Sequence, residues 1–167
     1  MQNPSAPEIL LASSSPYRRG LLDRFLAEFE AVSPDVDETN NEGLAPHELA
    51  RHLARAKAEA LSASSRNALI IGADQLAVLD GHVLGKPGSH QKAVEQLLAA
   101  SGKSVTFLTA VCMLDPVTRK RYEHTDETVV HFREFDRRLA EAYLRLDEPY
   151  DCAGSFKLEG AGFLLFE

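Results

Sequence analysis

Residues 68–88, ALIIGADQLAVLDGHVLGKPG, decide the kind of sheet that this chain builds. The stretch begins as a continuous apolar run, which is typical of a buried strand. It then reaches Asp80-Gly81, a dipeptide that strongly favours a β-hairpin turn. Because a hairpin joins antiparallel strands, the sequence excludes a purely parallel sheet and predicts a mixed one.

Strands and helices alternate on both sides of this stretch. Further strands are predicted at EILLAS, at FEAVSP, in the alternating pair SVTFLTAVCMLDP and RYEHTDETVVHFREF, and in the Gly-punctuated end DCAGSFKLEGAGFLLFE. Helices are predicted behind Ser15-Pro16, from Pro46 to about Ser64, over SHQKAVEQLLAAS and over DRRLAEAYLRLDEP. The sequence therefore predicts an α/β fold with a mixed sheet and flanking helices, in a single domain over residues 1–167.

Two of the predicted helices have an apolar face with helical spacing. In the first helix this face comprises Leu21, Leu22, Phe25 and Leu26. In the second it comprises Leu49, Leu53, Ala56 and Ala60.

Composition limits the partners and the compartment. With 18 basic against 25 acidic residues the net charge is −7, so we expect no nucleic-acid partner, which would need a basic face. A small anionic ligand is still allowed, because a pocket can be positive on an acidic protein. The N-terminus lacks a signal-peptide pattern, and no apolar run approaches the roughly 20 residues that span a bilayer. We therefore expect a cytoplasmic protein without a membrane partner.

The segment LASSSPYRR can be interpreted in two ways. Ser15 before Pro16 fits an N-cap followed by proline at the first helical position. A strand, a Ser-rich turn and a helix N-terminus also suit phosphate, to which Ser13 could add a hydroxyl and Arg18 a charged fork. From these residues alone, a capped helix with solvated arginines is as well supported as a phosphate site.

Carboxylates follow the apolar runs at two places. Asp74 comes directly after a predicted buried strand, and Glu38 lies in an acidic loop. The ordinary explanation for Asp74 is that it forms a turn, and the ordinary explanation for Glu38 is that it lies in a solvated loop. Together the two could hold Mg²⁺, which typically takes one or two protein carboxylates with waters and substrate phosphates.

Two lysines fit the same chemistry. Lys57 lies beside the predicted apolar face of its helix. The ordinary explanation for a lysine there is that its stem covers apolar surface while its ammonium reaches solvent. Lys86 lies in GKPG, which is not a P-loop, because the glycine spacing is one residue short and Pro87 replaces the Ser/Thr that binds magnesium. The chain also lacks HExxH and GxSxG, so we expect neither a zinc protease nor a serine hydrolase.

Seven segments in order resemble the Maf family of nucleotide pyrophosphatases: LASSSPYRR, SPDVDET, HLARAKA, IIGADQ, LDGHVLGKP, AVEQLLAASGKSVTF and EPYDCAGSFKLEG. The resemblance runs from Ile9 to the C-terminus. It implies a two-lobed fold related to inosine-triphosphate pyrophosphatases, with the active cleft between the lobes. It also implies hydrolysis of a nucleoside triphosphate to the monophosphate and pyrophosphate with a divalent cation, Mg²⁺, Mn²⁺ or Co²⁺.

The resemblance assigns roles to single residues. Asp74 matches the catalytic proton acceptor and a metal position, and Glu38 matches a metal-site carboxylate. The phosphate-contacting positions are Ser13, Arg18, Lys57 and Lys86.

Three positions indicate which base is bound. The family branch that acts on dTTP and UTP usually has arginine, threonine and glutamine where this chain has Tyr17, Gln75 and Glu159. The combination found here resembles the branch that acts on 7-methyl-GTP. A methylated guanine is cationic and favours an aromatic face and a carboxylate. The implied role is house-cleaning, which keeps modified nucleotides out of nucleic acids.

Two alternatives and one departure accompany this resemblance. The alternatives are a dTTP/UTP pyrophosphatase of the same family and a non-catalytic regulator of septum formation. The departure is that the sequence stops at GFLLFE, where family members continue, so we expect a C-terminal segment to be missing. A homodimer is a further expectation from the family.

Overall fold

The computed structural model describes residues 7–38, 43–64 and 67–167. The chain forms two compact units. Unit 1 comprises Met1–Asp74 and Ala110–Thr125, and unit 2 comprises Gln75–Thr109 and Asp126–Glu167. In the described ranges, none of the helices combines the length and hydropathy that crossing a membrane requires.

Among the described residues, six strands form one mixed sheet. They are β1 Glu8–Ala12, β2 Glu30–Val32, β3 Ala68–Leu79, β4 His82–Leu84, β5 Ser104–Leu114 and β6 Arg121–His131. Their order is β2-β1-β3-β5-β6, with β4 paired to β3. β1 is parallel to β2 and β3, whereas β3 and β4 are antiparallel. The predicted mixed sheet is confirmed.

The predicted hairpin turn has the backbone conformation that its sequence requires. Asp80 and Gly81 have φ angles of 50° and 80°, both in the left-handed region that a type I′ turn needs. The register then pairs Leu79 with His82. The Asp80-Gly81 dipeptide therefore fixes the point at which β3 turns back.

Four α-helices occur in the same described ranges: α1 Pro16–Leu22, α2 Pro46–Ala60, α3 His90–Ala100 and α4 Arg137–Asp147. Side-chain caps begin three of them: the oxygens of Ser15, Ser89 and Asp136 accept hydrogen bonds from the third residue of each helix. The predicted caps at Ser15 and Ser89 are confirmed.

The apolar faces of the first two helices differ from prediction. α1 ends at Leu22, before Phe25 and Leu26, and none of its residues is buried. In α2 only Leu53 of the predicted face is buried, together with Ala50, Ala54, Lys57 and Ala58. The buried residues of α2 follow helical spacing, and most of them are alanines, whose small side chains allow close packing.

Unit 2 contains a core in which α3 and α4 pack against each other and against aromatic rings. Phe156 contacts Phe107, Phe132 and Phe166, with ring centroids 5.2–6.0 Å apart. Such tilted and edge-on contacts are the arrangements that aromatic pairs favour.

The strand predicted at the C-terminus is wrong. Residues Ala153–Ser155 and Ala161–Leu164 form two short 3₁₀ helices, and Phe166 makes only an isolated bridge with Phe132. Gly154 and Ser155 have φ angles of 68° and 57°, which an extended strand cannot contain. Leu165 is buried, whereas Leu158 and Phe163 are exposed, so the apolar residues do not share one strand face.

Candidate active site

A buried lysine joins two carboxylates in unit 1. Lys57 Nζ lies 2.6 Å from Asp74 Oδ1 and 2.7 Å from Glu38 Oε1. Lys57 and Asp74 are only 8% and 7% exposed, whereas the Glu38 side chain is 52% exposed. The structure therefore brings together three residues that were predicted from separate segments. Lys57 does not snorkel, because its ammonium is paired inside the protein.

Close packing of β3 on α2 puts Lys57 beside Asp74. A Cβ at Gly72, two residues before Asp74, would lie 2.6 Å from Ala58 N and would also collide with Ala54 O. Since no side chain fits there, the strand lies directly on the helix backbone. The Lys57 side chain, which emerges from the same part of α2, then reaches the end of the unit 1 part of β3.

The Ser-rich turn supplies both a cap and a separate buried hydroxyl. Ser15 Oγ accepts a hydrogen bond from Arg18 N at 3.4 Å, so Ser15 is the residue that caps α1. Ser13 is 7% exposed, and its Oγ accepts from Ser15 N at 3.1 Å. A hydroxyl that accepts one bond keeps its own proton for another acceptor. Ser13 is therefore a buried donor at the C-terminal end of β1.

Arg18 contributes positive charge near Asp74 and Glu38. Burial lowers the pKa of its guanidinium, and the charges of Asp74 and Glu38 oppose that effect. Arginine nevertheless stays protonated in proteins. Tyr17, the neighbouring predicted base contact, is 38% exposed on α1.

Asp74 has the electrostatic setting of a proton acceptor. Burial raises the pKa of its carboxyl above the ordinary value, while Lys57 and Arg18 favour the carboxylate form and oppose the rise. A general base is most effective when its pKa is moved towards the working pH. Opposing effects of this kind on one carboxyl are common at functional sites.

The carboxylates of Asp74 and Glu38 suit a hard divalent cation. They converge on one ammonium group, and two carboxylates are as many as Mg²⁺ usually takes from a protein when substrate phosphates and waters complete the shell. No group of three or more acidic, histidine or cysteine side chains with metal-binding geometry is found in the described part of the chain. Asp74 and Glu38 are therefore the residues that could hold a divalent cation here.

The remaining predicted residues belong to unit 2. Gln75 Nε2 donates to Thr109 Oγ1 at 2.9 Å. Lys86 and Glu159 are both exposed, Lys86 in the loop Gly85–Gly88 and Glu159 between the two 3₁₀ helices.

Sequence reasoning missed the groups that hold these two loops. Gln96 of α3 donates from Nε2 to Gly85 O at 3.1 Å and accepts at Oε1 from Ser155 Oγ at 2.5 Å. Asp147 at the end of α4 accepts from Ala161 N at 2.8 Å, close to Glu159. For Asp147 one signal was available, because it is an acid at a helix C-terminus, where the helix dipole disfavours it. For Gln96 there was none, because a glutamine in an amphipathic helix usually faces solvent.

Comparison with known proteins places the chain in a family. The family model described as "Maf-like protein" matches residues 8–167. A 7-methyl-GTP pyrophosphatase of Pseudomonas syringae pv. tomato is 52% identical over 160 residues, which are 96% of this chain and 83% of that protein. Proteins with the same name in Pseudomonas aeruginosa and Cupriavidus metallidurans are 49% and 46% identical, over 96% and 100% of this chain and 83% and 84% of their own lengths.

A solved structure supports the fold independently. The Staphylococcus aureus Ham1 protein superposes with a TM-score of 0.54 at 18% sequence identity, over 75% of this chain and 71% of that one. At this identity the likeness concerns the fold alone, and it agrees with the predicted fold class. The family match over residues 8–167 and the identities near 50% lead to one conclusion: this chain belongs to the Maf family.

Proposed function

We propose that this protein is a nucleoside triphosphate pyrophosphatase that hydrolyses 7-methyl-GTP to 7-methyl-GMP and pyrophosphate. The observation that carries the proposal is the buried Lys57 between Asp74 and Glu38 in unit 1. The names of relatives that are about half identical over most of the chain support the choice of substrate.

The proposed reaction is attack of water on the α-phosphorus. Asp74 orients the water and accepts its proton as the new P–O bond forms. The bond between the α-phosphorus and the bridging oxygen breaks, and pyrophosphate leaves with that oxygen. Lys57 holds the Asp74 carboxylate in place through the 2.6 Å ion pair.

Positive groups neutralise the polyphosphate in this proposal. Arg18 has a guanidinium suited to paired contacts with phosphate oxygens, and the buried Ser13 adds a hydroxyl donor. Lys57 and Lys86 add two ammonium groups. Charge that develops on the leaving pyrophosphate is stabilised by such groups more strongly than charge on the bound substrate.

Asp74 and Glu38 would hold the divalent cation. When bound, the cation polarises the phosphorus under attack and offsets the negative charge of the triphosphate. We propose Mg²⁺, Mn²⁺ or Co²⁺, because carboxylate and phosphate oxygens are the ligands that these ions share.

We assign the choice of base to Tyr17, Gln75 and Glu159. The 7-methylguanine ring is positively charged, so an aromatic face and a carboxylate both attract it. Glu159 could also accept from N1–H and the N2 amino group of guanine, whereas a thymine edge offers no such pair of donors. Glu159→Gln is expected to reduce the preference for 7-methyl-GTP over GTP.

The biological role that follows is removal of a modified nucleotide before it enters nucleic acids. The proposal includes a cytoplasmic location, where the nucleotide pool is found, and a homodimer.

The test is pyrophosphate release from 7-methyl-GTP, GTP, dTTP, UTP and CTP, each with Mg²⁺, Mn²⁺ or Co²⁺. We expect strong preference for 7-methyl-GTP and loss of at least about 100-fold in kcat for Asp74→Asn, the size of a lost general base. Asp80→Asn is the control: it removes an exposed carboxylate, paired with Lys103, in the turn that follows β3. Asparagine tolerates the left-handed φ of Asp80, so this variant should retain activity.

Two outcomes would change the proposal. Preference for dTTP or UTP would retain the enzyme and reject the assignment of Tyr17, Gln75 and Glu159. Absence of turnover with every nucleotide, from folded protein, would reject the pyrophosphatase and favour the regulator of septum formation.

A further inference from the structure

Gln96 joins two loops of unit 2 that carry residues assigned to the substrate. The first, which we call the Lys86 loop, is Gly85–Gly88, and the second, the Glu159 segment, is residues 150–159. Gln96 lies on α3 and is half-buried. Its amide contacts the Lys86 loop at Gly85 O and the Glu159 segment at Ser155 Oγ.

The two hydrogen bonds fix the orientation of the Gln96 amide. Gly85 O can only accept, so the amide nitrogen must face it, at 3.1 Å. The amide oxygen then faces Ser155, and since that oxygen can only accept, the Ser155 hydroxyl must donate, at 2.5 Å. A glutamine satisfies both loops with one side chain, whereas a carboxylate or an apolar residue of the same length cannot.

Backbone bonds attach the Lys86 loop to the Glu159 segment at both of its ends. Gly154 N donates to Gly85 O at 3.4 Å, and Gly88 N donates to Tyr150 O at 3.0 Å. Lys86 therefore lies between two attached residues, and Pro87 further restricts the backbone next to it. The Gln96 amide adds a second donor at the Gly85 attachment.

Ser155 combines an unusual backbone conformation with a buried hydroxyl that Gln96 binds. Ser155 is fully buried and has a φ angle of 57°, which a residue other than glycine adopts at an energetic cost. Gly154 precedes it with a φ angle of 68° and contacts Ala77 so closely that an added Cβ would lie 2.9 Å from its methyl group. Burial of the serine hydroxyl in this position requires a partner, and Gln96 provides it.

We propose that Gln96 is a positioning residue that holds the Lys86 loop at a fixed spacing from the Glu159 segment. The triphosphate contact of Lys86 and the base contact of Glu159 are then presented together. This inference rests on the proposed function for the roles of Lys86 and Glu159, but the connection itself is a property of unit 2.

The first test measures the connection without substrate. In Gln96→Met, whose side chain has similar length and helix propensity, amide hydrogen exchange at Gly88 and Gly154 should accelerate by roughly tenfold or more, as expected when a local attachment is lost. Gln91→Met is the matched control, because Gln91 lies on the same helix and its amide donates to exposed Glu95 at 3.1 Å. Equal exchange in the three proteins would overturn the proposal.

The second test separates positioning from stability. Gln96→Met should lower kcat/KM for 7-methyl-GTP by roughly 10- to 100-fold, the effect of a small displacement of a contacting group. It should also reduce the preference for 7-methyl-GTP over GTP. In a Lys86→Ala background the same substitution should cost a clearly smaller factor, because residues that act together are not additive.

The outcomes distinguish this inference from the proposed function. Suppose that wild-type protein turns over 7-methyl-GTP and that Gln96→Met lowers only the fraction of active protein. If KM and nucleotide preference are then unchanged, and the substitution has the same effect in wild type and in Lys86→Ala, the inference is wrong and the proposed function stands. If wild-type protein is inactive, the proposed function is wrong, and the exchange rates at Gly88 and Gly154 alone decide whether Gln96 holds the loops.

Discussion

Among the ion pairs that helix α2 forms, two that lie within one turn differ in burial. Lys57 pairs with Asp74 on the buried side, where the two side chains are each 10% exposed. Arg55 pairs with Glu123 on the exposed side, where the side chains are 39% and 25% exposed. The second pair has the better geometry, since two parallel bonds of 2.7 and 2.9 Å join guanidinium and carboxylate.

The better geometry does not make the exposed pair more important. Water screens both partners of an exposed pair, so such a pair typically contributes about 1 kcal/mol or less, and the two parallel bonds put this one towards the upper end of that range. The buried pair is screened much less, so losing one of its charges should cost more, although Glu38 also pairs with Lys57 and Arg18 also favours the Asp74 carboxylate. We therefore expect the loss of the exposed pair Arg55–Glu123 to be tolerated and the loss of the buried pair Lys57–Asp74 to be severe. The catalytic role is assigned to the buried pair.

The largest effect should follow from breaking the buried pair on one side. Lys57→Met keeps the length of the side chain but removes the ammonium bonded to buried Asp74 and leaves Arg18 as a further positive neighbour, which should cost about 3–5 kcal/mol of unfolding free energy. Urea unfolding at neutral pH measures this. A loss below about 1 kcal/mol, the range of exposed pairs, would show that water reaches Asp74 freely.

The double variant Lys57→Met/Asp74→Asn sharpens the same comparison. Removing both charges should recover most of the lost stability, because a neutral pair no longer leaves an unpaired charge in the interior. Activity should not recover, since the proposed proton acceptor is absent. Recovery of activity would contradict the role of Asp74.

A smaller effect should follow from changing the packing that brings the buried pair together. Gly72→Ala adds a Cβ that would collide with the α2 backbone at Ala54 and Ala58, so the helix must shift. Overpacking of this kind costs about 1–3 kcal/mol. Gly20→Ala is the control, because its added Cβ meets no atom of another described element within 4 Å and alanine favours the helix. Thermal unfolding compares the two, and equal stability would show that the strand and helix can separate without cost.

Local patterns were enough to predict most of the fold. The Asp80-Gly81 turn and the Ser15 and Ser89 caps depend on neighbouring residues only, and all three are confirmed. The C-terminal strand was predicted from apolar residues, but long-range bonds decided that region. Ser155 donates a hydrogen bond to Gln96, and Ala161 donates one to Asp147. A local sequence pattern does not reveal either partner.

The candidate site was only partly predictable, for the same reason. Spacing placed Lys57 beside an apolar face, but its burial depends on the contact of Gly72 with α2, which a helical pattern cannot reveal. The local patterns of Ser13, Arg18 and Glu38 allowed phosphate and metal roles but did not favour them over a capped helix and a solvated loop. The family resemblance supplied the assignment. Gln96 gave no signal, because one glutamine in an amphipathic helix usually faces solvent.

The smallest effect should come from the exposed pair, and its pH dependence has a definite sign. Arg55 lowers the pKa of Glu123 below its ordinary value of 4.5, chiefly through their hydrogen bond. A carboxyl whose folded pKa is depressed stabilises the fold above its unfolded pKa, and this contribution disappears as the pH falls through the folded pKa. Glu123→Gln should therefore lower the unfolding free energy by at most about 1 kcal/mol at neutral pH.

Below the folded pKa of Glu123, wild type and Glu123→Gln should converge, because protonated glutamate no longer carries the charge that glutamine lacks. Urea unfolding of both proteins at neutral and acidic pH measures the difference directly. Added salt should also reduce the difference at neutral pH, since exposed charges are screened. A difference that persists at acidic pH would mean that Glu123 stabilises α2 by packing or neutral hydrogen bonding. The difference between the Lys57–Asp74 and Arg55–Glu123 pairs would then reflect the burial of their side chains and not the strength of their charge interactions.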